Sequence, residues 1–201
     1  FVAPGRCFYV GDIGDNAARR SHVVIYRVPE PELPHGPADT LGTTPVLDSI
    51  VITYPDRAHD AEAFAITRSG DLLLIAKDLV GAAELFRTNV RPGPRERTLS
   101  RVGALSLQTS ALSGRLVTGA AVSPSDSLLV VRTYVSLHFF LLLGDSLPAP
   151  LGPPGGVTIP VVEPQGEAVT FDGADRLVLT SERGQATHAL LTRLRLTWQT
   201  R

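Results

Sequence analysis

Asp60-Ala61-Glu62-Ala63-Phe64-Ala65-Ile66 is followed, after a short turn, by Gly70-Asp71-Leu72-Leu73-Leu74-Ile75-Ala76. The first run predicts a strand with acidic residues at its start, and the second predicts an apolar strand bounded by a turn. The same two-strand unit returns twice, at residues 165–171 with 174–180 and, more weakly, at residues 118–123 with 126–132. Recurrence at a spacing of about 50 residues is typical of propeller blades.

The repeated unit predicts an all-β protein, a β-propeller built from four-stranded blades. Glu62 is aligned with Ala120 and with Glu167. We expect one domain over the whole chain, with blades at residues 1–55, 60–103, 117–162 and 165–198. The first blade lacks a recognisable inner strand, and closed propellers have about 4–8 blades. We therefore expect an N-terminally truncated fragment of a six-bladed parent, with an open blade edge that favours self-association.

Composition and charge exclude several classes of function. The chain of 201 residues carries a formal net charge of −1, so it has no basic field to attract nucleic acid. No stretch reaches the roughly 18 apolar residues that a membrane span needs. Cys7 is the single cysteine, which excludes an intrachain disulfide and a cysteine-based metal site.

Polar residues at the starts of the inner strands are the first candidates for chemistry. In a propeller these strands line the central channel, and the positions are Asp60, Glu62, Thr118, Gln165 and Glu167. Carboxylates that gather on an axis repel one another unless a cation balances them. Oxygen ligands without cysteine indicate Ca²⁺ or Mg²⁺. The alternative is that these side chains only satisfy backbone groups or hold channel water.

A second polar group is the loop Gly11-Asp12-Ile13-Gly14-Asp15-Asn16, which lacks the ligand spacing of a calcium-binding EF-hand. Its acidic and amide side chains fit an Asx-type turn. The loop is also expected at the end of the blades where the inner strands begin. Asp12, Asp15 and Asn16 can therefore either cap the turn or face Asp60 and Glu62 across the channel mouth.

The second strands of the blades end at this same face. Arg132 and Tyr134 end one of them, and Glu182 ends another. An arginine at this place either pairs with a neighbouring carboxylate or holds an anionic ligand. Among the five histidines only His59, beside Asp60, is expected at the mouth, where it could act as an acid or a base.

Tyr9-Val10-Gly11-Asp12-Ile13-Gly14-Asp15-Asn16, with Arg20, resembles a family of bacterial β-propeller proteins of poorly defined function. Residues 60–63, 117–120, 132–134 and 165–168 match the same pattern in order, and Ser125-Asp126-Ser127 departs from it where an Asp-Gly turn is usual. The chain is also similar to the wider group of phytase-like esterase and SdiA-regulated propellers. The resemblance implies a calcium-stabilised or substrate-binding channel in a secreted or periplasmic protein.

Three functions remain open at this point. The first is an exported propeller whose acidic axial site binds a small molecule, Ca²⁺ or both. The second is a metal-dependent hydrolase of an ester, a lactone or a phosphate. The third is a non-catalytic scaffold that binds a protein or a cell-surface ligand. The expected metal ligands are Asp12, Asp15, Asn16, Glu62 and Glu167, and the expected ligand contacts are Asp60, Thr118, Arg132, Tyr134, Gln165 and Glu182.

Overall fold

The computed structural model describes residues 7–30, 43–77, 83–107, 115–152 and 156–197. The first six residues of the predicted first blade and residue 198 at the end of the fourth lie outside these ranges. The described residues form sixteen β-strands and no α-helix. These are β1 (Cys7–Asp12), β2 (Val23–Pro29), β3 (Asp48–Thr53), β4 (Ala61–Ile66), β5 (Asp71–Ala76), β6 (Ala83–Asn89), β7 (Glu96–Thr98), β8 (Ser100–Leu105), β9 (Val117–Val122), β10 (Leu128–Thr133), β11 (Ser136–Leu141), β12 (Ala149–Pro150), β13 (Val157–Pro160), β14 (Gln165–Phe171), β15 (Arg176–Glu182) and β16 (Leu191–Arg195).

The strands form four small sheets, and the predicted all-β propeller with four blades is confirmed. The first blade has the strand order β1-β2-β3-β7, and the second has the order β4-β5-β6-β8. In the third blade β9, β10 and β11 are followed by two short strands, β12 and β13, which both pair with β11. The fourth blade contains β14, β15 and β16. The six-bladed parent stays a prediction.

One short run of the chain belongs to two blades. β7 pairs in parallel with β3 of the first blade, and the chain then passes through Leu99 into β8, which pairs with β6 of the second blade. Leu99 is buried in the core between these blades, and its amide donates to the carbonyl of Thr53. The run 96–105 therefore ties the first blade to the second.

Apolar clusters fill the three spaces between successive blades, and the sequence pattern of each second strand follows from its position. β5 and β10 have neighbouring blades on both faces, and their side chains are buried almost without interruption. β15 packs against the third blade with one face only, so buried and exposed side chains alternate along this strand. Among the described residues no apolar cluster joins the fourth blade to the first.

A β-bulge occurs at the same place in the second, third and fourth blades, between the inner strand and the strand beside it. The register of each pair shifts by one residue, and Glu62, Thr118 and Glu167 are the residues left without a cross-strand partner. A bulge re-aims the side chain of its extra residue. The alignment of Glu62 with Ala120 is therefore wrong by two positions, because Thr118 occupies the equivalent place.

The inner strand of the third blade lies between those of its neighbours, and its contact with the fourth blade is very close. β9 packs against both β4 and β14. A Cβ atom built on Gly119 would lie only 2.7 Å from the carbonyl oxygen of Glu167. The absence of a side chain at this position therefore sets the distance between the third and fourth blades.

We expect Gly119→Ala to destabilise the protein by about 1–3 kcal/mol, because the added methyl group meets backbone that cannot rotate away. Chemical denaturation with fluorescence detection would measure the change. Gly14→Ala is the matched control, since a Cβ at Gly14 would meet nothing within 4 Å. Equal stability of the two variants would contradict the close approach.

His138 lies inside the third blade and is a structural residue. Its Nε2 faces the hydroxyl of Ser136 at 2.9 Å, and its Nδ1 faces the hydroxyl of Thr158 at 3.2 Å. Burial lowers the pKa of His138 from 6.5 to about 4, because the charged imidazolium loses its hydration. The unfolded chain therefore binds a proton on this histidine between pH 6.5 and 4, whereas the folded protein does not.

This difference in proton binding predicts that the free energy of unfolding falls as the pH is lowered from 6.5 towards 4. The contribution of His138 to that fall is up to about 3 kcal/mol. Urea unfolding of the parent and of His138→Gln at pH 7 and at pH 4.5 would measure it. The variant should lose less stability over this interval, and an identical loss in both proteins would refute the assignment.

Candidate functional site

Glu62, at the bulge of the second blade, contacts Lys77 just after the second strand. Glu167, at the bulge of the fourth blade, contacts Gln165, while Thr118 occupies the equivalent place in the third blade. We call this group the rim cluster: Glu62, Lys77, Thr118, Tyr134, Gln165, Glu167 and Glu182. Lys77 connects the second and third blades, because its Nζ donates to Glu62 Oε1 at 3.2 Å and to the Tyr134 hydroxyl at 3.4 Å. The same ammonium lies 5.6 Å from the centre of the Tyr134 ring.

The fourth blade contributes two carboxylates that share one amide. Gln165 Nε2 donates to Glu167 Oε1 at 2.8 Å and to Glu182 Oε2 at 3.0 Å. Because these two bonds use both N–H groups of the amide, they fix its orientation and leave the carbonyl oxygen of Gln165 available as a hydrogen-bond acceptor. The amide fixes the separation of the two carboxylates.

Thr118 supplies the buried part of the rim cluster. Its side chain is almost completely buried, and its hydroxyl makes no hydrogen bond with any described residue. A buried hydroxyl without a partner costs about 1–3 kcal/mol. Such a group stands out in a folded protein, where nearly all buried polar atoms are satisfied.

The electrostatics of the rim cluster are dominated by its acidic groups. Three carboxylates share the cluster with the single ammonium group of Lys77. Burial raises the pKa of Glu167, and the negative charges of Glu182 and Glu62 raise it further. The hydrogen bond from Gln165 and the charge of Lys77 oppose this rise. The cluster is therefore short of positive charge.

The loop at residues 11–20 is held together by its own side chains. Arg20 donates to both carboxylate oxygens of Asp12, at 2.7 and 2.9 Å, and to the carbonyl of Gly14. The pKa of Asp12 is lowered by this hydrogen bond from Arg20. Asp15 accepts the backbone N–H of Arg20, and its own N–H donates to Asp60 Oδ1 at 2.8 Å. The loop therefore does face Asp60, and these contacts stabilise the turn.

The five predicted metal ligands divide between two places. Glu62 and Glu167 belong to the rim cluster, whereas Asp12, Asp15 and the exposed Asn16 belong to the loop. Among the described residues the four acidic members form no group of three whose ligand atoms lie within 4.8 Å of one another. A single ion bound by all five would require the loop and the rim cluster to rearrange.

The structure places Arg132 in the interior, where a ligand does not reach it. Its side chain is completely buried, forms an ion pair with the buried carboxylate of Glu163, and donates to the carbonyl of Ala168 at 2.8 Å. This placement argues for a structural role in place of the predicted contact with an anion. The sequence could not show this ion pair, because Glu163 lies far along the chain, in the connection between β13 and β14.

His59 belongs to a group that the sequence did not predict. Its Nε2 lies 3.0 Å from Asp56 Oδ1, and its Nδ1 lies 3.7 Å from Glu84 Oε2. Asp56, His59 and Glu84 could hold a metal ion, since one ligand atom from each lies within 4.8 Å of the others. The spacing Asp-x-x-His of Asp56 and His59 was the part of this group that the sequence could have shown. Glu84 lies in β6, far along the chain, so its proximity could not be read from the sequence.

The fold is that of a β-propeller with two groups of polar residues at the ends of its strands. No family model and no curated protein matches the chain. Among solved structures, it is similar to the periplasmic gluconolactonase PpgL of Pseudomonas aeruginosa, with a TM-score of 0.51 and 10% identity. That match covers 96% of this chain, which spans 55% of the length of the gluconolactonase.

The chain is also similar to the PQQ-bound aldose sugar dehydrogenase of Streptomyces coelicolor, with a TM-score of 0.46 and 12% identity. This match covers 92% of this chain and 77% of the dehydrogenase. At such identities the likeness concerns the fold alone. The described residues contain no helix that is long and apolar enough to cross a membrane.

The crowding of carboxylates in the rim cluster predicts that Glu167→Gln stabilises the protein at pH 7 when no ligand is added. The substitution removes a partly buried charge that faces two others, and the expected rise in Tm is about 2–4 °C. Glu96→Gln, on the exposed surface of β7, is the control and should leave Tm unchanged. A lower Tm for Glu167→Gln would contradict the prediction.

Proposed function

We propose that this propeller binds a small polar ligand at the rim cluster, together with Ca²⁺. One observation carries the proposal: three equivalent bulges, on inner strands that pack side by side in three successive blades, carry two glutamates and the unpartnered hydroxyl of Thr118. Crowded carboxylates and a buried hydroxyl without a partner are what a bound ion or ligand would satisfy.

The donor set suits a hard cation. Ca²⁺ takes about 6–8 oxygen ligands in flexible geometry, including carboxylates, amide carbonyls and water. Glu62, Glu167, Thr118 and the carbonyl of Gln165 offer such oxygens, and the ligand or water would supply the others. Ca²⁺ would have to displace Lys77 from Glu62, and Lys77 could then remain with Tyr134 or turn to an anionic part of the ligand.

Hydroxyl-rich molecules are the first class of ligand to examine. Carboxylates accept hydrogen bonds from hydroxyl groups, while Lys77 and Tyr134 can donate them. Tyr134 also offers an aromatic face. The fold likeness to a periplasmic gluconolactonase makes a sugar lactone a reasonable first compound. We place the protein outside the cytoplasm, in the secreted or periplasmic class, on the resemblance of its sequence motifs.

Hydrolysis is a second candidate function at the same site. A metal ion bound by Glu62 and Glu167 would supply an activated water molecule, and the donors beside it would orient an ester, a lactone or a phosphate. A non-catalytic role as a scaffold is the third candidate. Its support is the exposed Phe8 and Val10 on β1, an edge strand of the first blade.

Thermal melting with EDTA, followed by added Ca²⁺ or Mg²⁺, tests the proposal. Ca²⁺ at 100 times its Kd should stabilise the protein by about 2.7 kcal/mol. Glu62→Gln and Glu167→Gln should lose most of this shift, because each removes a charged ligand, whereas Glu96→Gln should keep it. A sugar lactone added to the calcium-loaded protein should raise Tm further.

Two results would overturn the proposal. One is the absence of any calcium-dependent shift in the parent protein. The other is a shift that persists unchanged in both Glu62→Gln and Glu167→Gln, which would place the ion elsewhere. If Ca²⁺ does bind, a further measurement distinguishes ligand binding from hydrolysis. Release of a carboxylic acid from the lactone, followed by pH-stat in the presence of Ca²⁺, would show hydrolysis, and its absence would indicate binding alone.

A further inference from the structure

A second group of possible ligands shares no residue with the rim cluster and differs from it in chemistry. Asp56 and His59 are in the connection from β3 to β4, and Glu84 is near the start of β6. His59 is only 4% exposed, yet each of its ring nitrogens faces a carboxylate. The imidazole therefore lies between an exposed carboxylate, Asp56, and a carboxylate that an arginine already pairs, Glu84.

The imidazole ring is held in one orientation by its neighbours. Tyr54 and Phe86 pack against it in tilted orientations, with ring centres 4.9 and 4.8 Å from that of His59. Phe86 is part of the core between the first and second blades. The direction of each ring nitrogen is therefore set before any ligand arrives, which lowers the entropy cost of binding.

The two carboxylates are not equivalent. Arg101 binds Glu84 through Oε1, at 2.7 and 3.2 Å, which leaves Oε2 directed towards His59. The side chain of Asp56 is 46% exposed, so one side of the group is open to water. The protein thus presents three ligand atoms with one of the carboxylates fixed by an arginine.

We propose that Asp56, His59 and Glu84 bind a divalent transition metal, with Zn²⁺ as the expected ion and water as the remaining ligand. One imidazole and two carboxylates favour Zn²⁺ over Ca²⁺, because Ca²⁺ is bound by oxygen atoms, while imidazole nitrogen suits zinc and its neighbours in the first transition row. The site is independent of the rim cluster in both its residues and its metal.

The bound metal would connect two blades. Asp56 and His59 follow the last residues of β3 in the first blade, and Glu84 belongs to the second blade. An ion that joins them binds the folded protein and not the unfolded chain, so it adds to the free energy of unfolding.

Isothermal titration of the chelator-treated protein with Zn²⁺, and with Co²⁺ as an optical probe, tests this inference. We expect Co²⁺ to give visible absorption that Zn²⁺ removes by displacement. His59→Gln and Asp56→Asn should each lose the signal. Asp56 is exposed, so Asp56→Asn keeps the test valid if His59→Gln fails to fold.

The controls separate this site from the rim cluster. Glu62→Gln and Glu167→Gln should retain the Zn²⁺ site even if they lose the response to Ca²⁺, and His188→Gln should retain it because His188 is an exposed histidine elsewhere. Failure of Zn²⁺ to bind the parent protein would overturn the inference. So would equal Zn²⁺ binding by the parent and by Asp56→Asn.

Discussion

The close packing of successive inner strands is the constraint on which the rest of the molecule depends. β9 is held between β4 and β14, and Gly119 allows the backbone of the fourth blade to approach it. Each of these three inner strands has a β-bulge, with one extra residue, where it pairs with the second strand of its own blade. The extra residue has no place in the ladder, so it turns its side chain to the common rim. Packing and site are thus products of the same backbone feature.

The sequence predicted the architecture well, because its main signals are local. Apolar runs such as Leu72–Ile75 are the direct result of blades on both faces, and turn residues separate them. The bulges left no such signal, and this is why Thr118 was not matched with Glu62. The partners of Arg132 and His59 could not be found from the sequence for a related reason. Their partners, Glu163 and Glu84, are brought to them by tertiary packing between distant segments.

The two groups of polar residues differ in the donor atoms that they offer. The rim cluster offers oxygen atoms only, and it is spread across three blades with Lys77 as its internal cation. The group around His59 combines nitrogen with oxygen and is compact. Hard and borderline cations would therefore be sorted by ligand type.

The strand run shared by the first two blades has a consequence for how the protein opens. β7 and β8 are consecutive, so β7 cannot leave β3 without pulling on Leu99 and on the edge of the second blade. These two blades should exchange their amide hydrogens as one cooperative unit. The fourth blade contacts the third through an apolar cluster, the packing of β14 on β9 and the hydrogen bond from Arg132 to Ala168, but among the described residues it shares no strand run with its neighbour. Local unfolding should therefore begin there and spare the first two blades.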